Sequence, residues 1–243
     1  MSGEPLKHIG YCGKVPTRGD FIQQGLNKDF FKNWNDWLRA VIAVSKEQAG
    51  DDWLEYYLTS PIWHFSLSAG VCCDQAVVGT VIPSVDQVGR HYPFTLAGLH
   101  TQSALRGWRD NTCSTAFEQN ILAVLEDDIA MDEWFNVLAQ SKFTVGIDKC
   151  RFFENESMDQ TKKAWVFQGA NNLDLLSLLD LQYTRRFKRY SIWWTEGSEE
   201  VESCVIVTEG LPPVSQFISM LNGQWIQRDW NTAQIIKEES TCT

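Results

Sequence analysis

The segment over residues 83–93 combines a hydroxyl, a carboxylate, a guanidinium and an imidazole, carried by Ser84, Asp86, Arg90 and His91. Serine, histidine and aspartate can form a hydrolytic triad, in which the histidine takes the proton of the serine hydroxyl. No Gly-x-Ser-x-Gly sequence surrounds this serine, although α/β-hydrolases carry that sequence around their nucleophile. We therefore expect Asp86 and Arg90 to brace a sharp turn. A small hydrolase or nucleotide-dependent enzyme that uses the loop from Ser84 to His91 is the alternative.

A second polar segment contains Gly-Tyr-Cys-Gly-Lys, which ends at Lys14 and is superficially like a phosphate-binding loop. A Walker motif needs four residues between its glycines and a Ser or Thr after the lysine, whereas Val15 follows the lysine here. The segment therefore predicts a strand that leads into a tight turn. Arg18, Gly19 and Asp20 come next, and we expect the two charged side chains to pair across the glycine or to hydrogen-bond the adjoining backbone.

These two polar segments are expected to serve the architecture or partner binding, and no residue is assigned a catalytic role. Three glycines are expected to occupy turns with unusual backbone angles: Gly13, Gly19 and Gly89. The side chains expected to hold the segments, chiefly through charge-assisted hydrogen bonds, are Lys14, Arg18, Asp20, Ser84, Asp86 and Arg90.

The histidines and cysteines do not have the spacing of metal ligands. The four histidines contain no His-x-x-x-His pair, and the seven cysteines contain no Cys-x-x-Cys pair. A structural zinc site usually shows such pairs, and an odd number of cysteines does not suit a disulfide framework. We predict no metal, no cofactor and reduced cysteines.

The charge balance is acidic, with 21 Lys and Arg against 31 Asp and Glu and a net charge of −10. Nucleic-acid binding depends mainly on basic groups that neutralise phosphates, so we expect no nucleic-acid partner. The first residues, MSGEPLKHIG, do not show the pattern of a signal peptide, and no apolar run approaches the roughly 18 residues of a membrane-spanning helix. We expect a soluble cytoplasmic protein without direct membrane insertion.

In the first half of the chain, apolar residues at spacings of three and four predict an amphipathic helix from Asn27 to about Gln48, with Asn27 as its cap. A shorter helix over residues 51–58 must end before Pro61. Segments rich in β-branched and aromatic residues follow, and their short connections favour antiparallel pairing. These predicted strands are Ile62–Leu67, Ala76–Ile82 and Tyr92–Leu99.

The second half predicts helices over 114–129, 133–140, 172–183 and 214–221, a long loop over 148–163 and a strand over 163–168. Residues 190–195 and 203–208 predict a hairpin. No Pro-, Gly- or Ser-rich linker separates two halves. We therefore predict an α/β fold, a single domain over residues 1–226 with an antiparallel-rich mixed sheet flanked by helices, followed by a flexible tail over 227–243.

Two consecutive tryptophans, Trp193 and Trp194, lie in the first strand of the predicted hairpin. Neighbouring residues of a strand point to opposite faces of a sheet. Each face therefore receives one indole, and at least one indole must be covered by another helix or by a binding partner. The pair is accordingly a candidate partner surface.

Four segments together resemble the type VI secretion-associated protein family called TagF or ImpM. They are GYCGKVPTRGDFIQQGL at residues 10–26, WLEYYLTSPIWHFSLSAGVC at 53–72, VVGTVIPSVDQVGRHYPFTLA at 77–97 and SIWWTEGSEEVESCVIVTEGLPP at 191–213. The resemblance implies a bacterial cytoplasmic protein that restrains type VI secretion after translation, without a known enzymatic activity of this domain. It also implies a partner, the forkhead-associated-domain scaffold protein of the secretion apparatus. We therefore expect a regulatory binding module.

Overall fold

The computed structural model describes residues 3–126, 128–152 and 166–235. Its strands are β1 (Glu4–Pro5), β2 (Lys7–Gly13), β3 (Ile22–Gln24), β4 (Trp63–Leu67), β5 (Ala76–Ile82), β6 (Phe94–His100), β7 (Thr144–Val145), β8 (Tyr190–Gly197) and β9 (Glu202–Glu209). Its α-helices are α1 (Lys28–Ala49), α2 (Trp53–Leu58), α3 (Ala104–Arg109), α4 (Asn111–Leu122), α5 (Met131–Gln140), α6 (Leu175–Phe187) and α7 (Ser219–Asn222).

A seven-stranded sheet runs through these described ranges in the order β3-β2-β6-β5-β4-β8-β9, and all of its pairings are antiparallel. Short connections join β4 to β5, β5 to β6 and β8 to β9, and such connections allow antiparallel neighbours. The pairing of β4 with β8 joins the two halves of the chain, because Phe65 lies opposite Trp193. The expected α/β fold with an antiparallel-rich sheet is confirmed.

One face of the sheet packs against α1. Asn27 caps this helix by accepting hydrogen bonds from the amides of Asp29 and Phe30. Trp34 is fully buried and stacks on Trp193, with ring centroids 5.7 Å apart and planes 9° apart. Its indole Nε1 donates to the Thr95 hydroxyl at 3.0 Å. Because the one polar atom of the indole is satisfied, the ring can be buried without an unpaired donor.

The other face of the sheet is covered by α3, α4, α5 and α6. Its buried core joins strand residues such as Phe94, Leu96 and Tyr190 to helix residues such as Leu105 and Phe117. The sheet is therefore apolar on both faces, and its central strands are buried along their whole length. This layering explains why the central strands read as nearly continuous apolar runs instead of alternating ones.

Most predicted elements are confirmed with small shifts of their ends. The helix predicted from Asn27 is α1, the helix over 51–58 is a 3₁₀ turn followed by α2, and the three predicted strands are β4, β5 and β6. The helix predicted over 133–140 is α5, and the one over 172–183 is α6, which begins after Asp174 because the side chain of that residue accepts from the Ser177 amide. The predicted hairpin is formed by β8 and β9.

Two helices differ from the prediction. The helix predicted over 114–129 begins earlier, at the start of α4, and ends in a 3₁₀ turn at Leu125 because Glu126 is extended. Residues 126–128 are all acidic, and acidic side chains are unfavourable at a helix C-terminus. The helix predicted over 214–221 is divided into a 3₁₀ turn at Val214–Gln216 and α7. The short helix α3 was missed, because six residues show too little periodicity.

The predicted long loop and strand between α5 and α6 lie largely outside the described residues. The described parts, 148–152 and 166–168, contain no strand. At the C-terminus, residues past the predicted domain boundary at 226 still contact the body of the protein. The Trp230 indole donates to the Gln216 carbonyl at 3.2 Å, and the Gln216 amide group donates to the Arg228 carbonyl at 2.8 Å.

Candidate binding site at the two motif loops

Two loops meet at one end of the sheet, and we call them the first motif loop (residues 13–21) and the second motif loop (residues 83–93). The first follows β2 and the second joins β5 to β6; because β6 lies between β2 and β5, the loops leave the sheet side by side. Gly13 has a φ of 143°, and a Cβ at this position would lie 2.3 Å from the Pro93 carbonyl oxygen. Only glycine therefore allows the two loops to approach this closely.

The buried carboxylate of Asp86 joins the two loops. It accepts hydrogen bonds from the Lys14 ammonium, from Arg90 Nε at 2.7 Å, and from the amides of Val88 and Arg90 at 3.1 and 2.8 Å. Burial alone raises the pKa of Asp86, but the bonds from Lys14 and Arg90 outweigh it and hold the pKa well below its usual range. The carboxylate is therefore ionised at neutral pH, with its oxygens committed to the loops.

Ser84 is also committed to internal bonds. Its hydroxyl donates to the Lys14 carbonyl at 2.7 Å, its amide donates to the Tyr57 hydroxyl at 2.9 Å, and that hydroxyl donates to the Ser84 carbonyl at 2.8 Å. The His91 ring packs edge-on against Trp53 and Tyr57, with centroid distances of 5.9 and 5.6 Å. Among the described residues, no hydrogen bond joins the side chains of Ser84, Asp86 and His91 into a triad.

Beyond Lys14, the first motif loop is held to the second through its main chain. The Gln87 amide donates to the Arg18 carbonyl at 3.1 Å, and the Arg90 guanidinium donates to the Gly19 carbonyl. The expected pairing of Arg18 with Asp20 is wrong: both side chains are exposed, and neither forms an ion pair or a hydrogen bond to the adjoining backbone within the described ranges. The reason is that, around Arg18 and Gly19, carbonyl groups instead of charged side chains face the second loop.

The expectation for the glycines is also corrected at one position. Gly89 has a φ of 82°, in the left-handed region that favours glycine, as Gly13 does. Gly19 has no positive φ, and a Cβ there would meet open space. The sequence did not predict that the Tyr57 hydroxyl binds the main chain of Ser84. The sequence shows no more than a tyrosine near the end of the short helix α2.

A cleft of about 590 Å³ lies between the first motif loop and the start of α5. Its lining includes the exposed charges of Arg18 and Asp20 together with Asp132. Thr17 also lines it, although its hydroxyl oxygen is buried and without a hydrogen-bond partner among the described residues. The cleft therefore offers both signs of charge, which suits polar contacts with another molecule.

Trp193 and Trp194 do not form a partner surface. Trp193 is fully buried beneath α1, and Trp194 is 7% exposed and packs against His64 on the opposite face, with ring centroids 5.5 Å apart. The two indoles do point to opposite faces, as expected for consecutive strand residues. Helices of this chain cover both faces, so both indoles are covered by the chain itself and not by a binding partner.

The other titratable groups form no metal cluster in the described part of the chain, where no three His, Cys, Asp or Glu side chains are arranged to hold an ion. The thiols of Cys12, Cys72 and Cys113 are buried, and burial raises the pKa of Cys12 and Cys72 to about 12. Such thiols are poor nucleophiles at neutral pH because the thiolate is scarcely populated. No helix among the described residues has the length and apolar character needed to cross a membrane.

Comparison with known proteins agrees with this fold. The family model described as the TagF N-terminal domain, type VI secretion system-associated, matches residues 10–141, a range that contains three of the four motif segments. The crystal structure of PA0076 from Pseudomonas aeruginosa PAO1 superposes with a TM-score of 0.75 and 28% sequence identity, over 95% of this chain and 99% of that one. No curated protein matches the sequence.

Proposed function

Because this chain belongs to the TagF N-terminal domain family, which is associated with type VI secretion systems, we propose that it restrains bacterial type VI secretion after translation by binding a partner protein in the cytoplasm. The proposed partner is the forkhead-associated-domain scaffold of the secretion apparatus. The action is stoichiometric and involves no catalysis by this chain.

The observation that carries the proposal is the way the motif loops use their polar groups. The Asp86 carboxylate is bound to Lys14 and Arg90, and the Ser84 hydroxyl is bound to the Lys14 carbonyl. The side chains that could act in catalysis therefore hold the two loops together. In contrast, Arg18 and Asp20 are exposed beside the cleft. A rigid loop pair that presents exposed charges is suited to recognition, because little conformational entropy is lost when a partner binds.

The charge of the chain favours a partner with a basic patch. A net charge of −10 creates a negative potential, which accelerates encounter with a positively charged surface. Attraction of this kind is screened by salt. We therefore expect association with the scaffold to become slower as the ionic strength rises.

The direct test is affinity purification from the native bacterium, followed by measurement of binding between the purified proteins. The scaffold should co-elute with the wild-type chain. Exchanging the charges of the motif loop in the double variant Arg18→Asp and Asp20→Arg should weaken binding at least about tenfold, or about 1.4 kcal/mol. The matched control exchanges the exposed pair on α1 in Lys32→Asp and Asp36→Lys, and it should bind as the wild type does.

The same proposal makes a dose prediction inside cells. Raising the expression of the protein should suppress secreted effector in proportion, and suppression should saturate when the protein matches the scaffold in copy number, with transcript levels unchanged. Full repression at a small fraction of the scaffold's copy number would contradict stoichiometric binding. That result would favour the enzyme alternative.

A further inference from the structure

Strand β9 forms one edge of the seven-stranded sheet, and within the described residues no strand pairs with its outer side. It is eight residues long, and the side chain of Val205 at its centre is 46% exposed. An edge strand of this length presents a row of unpaired main-chain groups to which another extended chain can add.

The register shows which main-chain groups are free. The Gly210 amide donates to the Arg189 carbonyl just beyond the paired strands. Hydrogen-bonded pairs alternate with non-bonded pairs in an antiparallel ladder, so the bonding residues of β9 are Thr208, Ile206 and Cys204. The main-chain groups of Val205 and Val207 therefore point to the open edge. No main-chain hydrogen bond from another segment of the described chain reaches these groups.

The charges around this edge disfavour a second copy of the chain as the occupant. The stretch from Tyr190 to Glu209 contains five glutamates and no basic residue. All five are exposed, and among the described residues none forms an ion pair; they are Glu196, Glu199, Glu200, Glu202 and Glu209. An antiparallel pair of two β9 strands would bring the two sets of glutamates together along one edge, and juxtaposed like charges are unfavourable.

We propose that β9 binds an extended segment of another protein as an added antiparallel strand, and that this segment has an apolar centre and basic residues near its ends. Main-chain hydrogen bonds to Val205 and Val207 supply the pairing, and Glu202 and Glu209 select the basic ends. The surface is distinct from the motif loops, because β9 lies at the opposite edge of the sheet from β3. The inference therefore does not rest on the proposed function.

The test uses a fluorescent peptide as long as β9, with two lysines at each end and alternating valine and threonine between them. It should bind the full chain saturably in an anisotropy titration at low salt. A peptide with glutamates in place of the lysines should bind at least about tenfold more weakly. Hydrogen exchange of the complex should be slowed at the amides of Val205 and Val207 and unchanged in the two motif loops.

Variants of the chain separate the two contributions. Val205→Pro removes an amide that does not bond to β8, so it should abolish binding without unfolding the sheet, and Val205→Thr should bind normally. Glu202→Gln with Glu209→Gln should weaken binding about tenfold, whereas the charge-matched control, Glu47→Gln with Glu55→Gln, should not. The proposal is overturned by absence of saturable binding, by equal binding of the glutamate peptide, or by protection at the motif loops instead of β9. If Val205→Pro unfolds the protein, the proposal is tested instead by the hydrogen-exchange pattern of the wild-type complex and by the binding of the variant Glu202→Gln with Glu209→Gln.

Discussion

The Ser84 hydroxyl donates a hydrogen bond of 2.7 Å to the Lys14 carbonyl, and Lys14 in turn binds the Asp86 carboxylate. The second motif loop is therefore attached to the first through both the main chain and the side chain of one lysine. The two loops, far apart in sequence, behave as one structural unit at the end of the sheet.

Replacing Asp86 by Asn should lower the melting temperature of the protein. The buried carboxylate accepts bonds from two cations and two amides, and an asparagine amide cannot accept them all. Thermal unfolding followed by circular dichroism measures the effect. The control is Asp20→Asn, which changes an exposed aspartate without ion-pair partners in the described chain and should leave the melting temperature unchanged. If Asp86→Asn instead left stability unchanged but abolished repression, the second motif loop would be a functional site and not a structural one.

Stability should fall as the pH is lowered from about 6.5 to about 4, through His100. This histidine is fully buried, and burial lowers its pKa to about 4. Between that value and the unfolded pKa of about 6.5, the unfolded chain binds a proton that the folded chain does not, so the free energy of unfolding decreases as pH falls, by about 3 kcal/mol in total. Urea unfolding at a series of pH values measures the slope.

The variant His100→Leu should flatten that slope. Both ring nitrogens of His100 are buried without hydrogen-bond partners among the described residues, so leucine removes the titrating group without breaking a bond. The control is His8→Asn at an exposed position with positive φ, which asparagine tolerates, and it should retain the wild-type slope. A slope that persists in His100→Leu would show that other groups carry the pH dependence.

Truncating Trp34 to Ala should destabilise the protein by about 3–5 kcal/mol, the usual range for a large buried aromatic side chain. The indole is fully buried and contacts Phe30, Phe65 and Trp193, with centroid distances of 5.5, 4.4 and 5.7 Å. Urea unfolding is the measurement, and Leu54→Ala at an exposed position of α2 is the control. A loss below about 1 kcal/mol would contradict the central place of Trp34 in this core.

Gly107→Ala should destabilise the protein by about 1–3 kcal/mol through overpacking beneath α3. An added Cβ would lie 2.3 Å from the Ser66 hydroxyl oxygen and 3.2 Å from its Cβ. Ser66→Ala removes the closer atom, so the double variant should lose less stability than the two single variants added together. If the losses of the two single variants add up in the double variant, the strain of Gly107→Ala does not arise from its contact with the Ser66 hydroxyl. Gly19→Ala, where a Cβ meets open space, is the control.

The sequence was informative wherever one element repeated a strong local pattern. The three- and four-residue spacing from Phe30 onward and the cap at Asn27 predicted α1, and turn residues between apolar runs predicted β4, β5 and β6. Pairings between distant segments left no comparable local signal. The position of β8 beside β4 depends on packing of both faces, and the bond from Tyr57 to Ser84 depends on how α2 sits against the second motif loop.

The sequence predicted which residues form the candidate site, but not which charged side chains bond to one another. The glycines and charged residues of both loops marked the correct region, and Asp86 does bond Arg90 as expected. The partner of Asp86 across the loops is Lys14, and Arg18 and Asp20 point outward. Alternating charges near a turn cannot show which of them faces the neighbouring loop, because that depends on the close approach at Gly13. The exposure of Trp193 and Trp194 was equally undetermined, since it depends on helices remote in sequence.

The position of β8 between β4 and β9 has a consequence for how the chain folds during synthesis. Until the ribosome has made residues 190–209, β4 is an open edge, and the indole of Trp34 lacks its stacking partner Trp193. The indoles of Trp37 and Trp63 also lack their hydrogen-bond acceptors until the carbonyls of Pro212 and Met220 have been made. In the folded protein these bonds are 2.9 and 3.0 Å long. Contacts so distant in sequence slow folding. Nascent chains that stop short of β8 should therefore be prone to aggregate, and the completed protein should fold only after nearly all of it has been released.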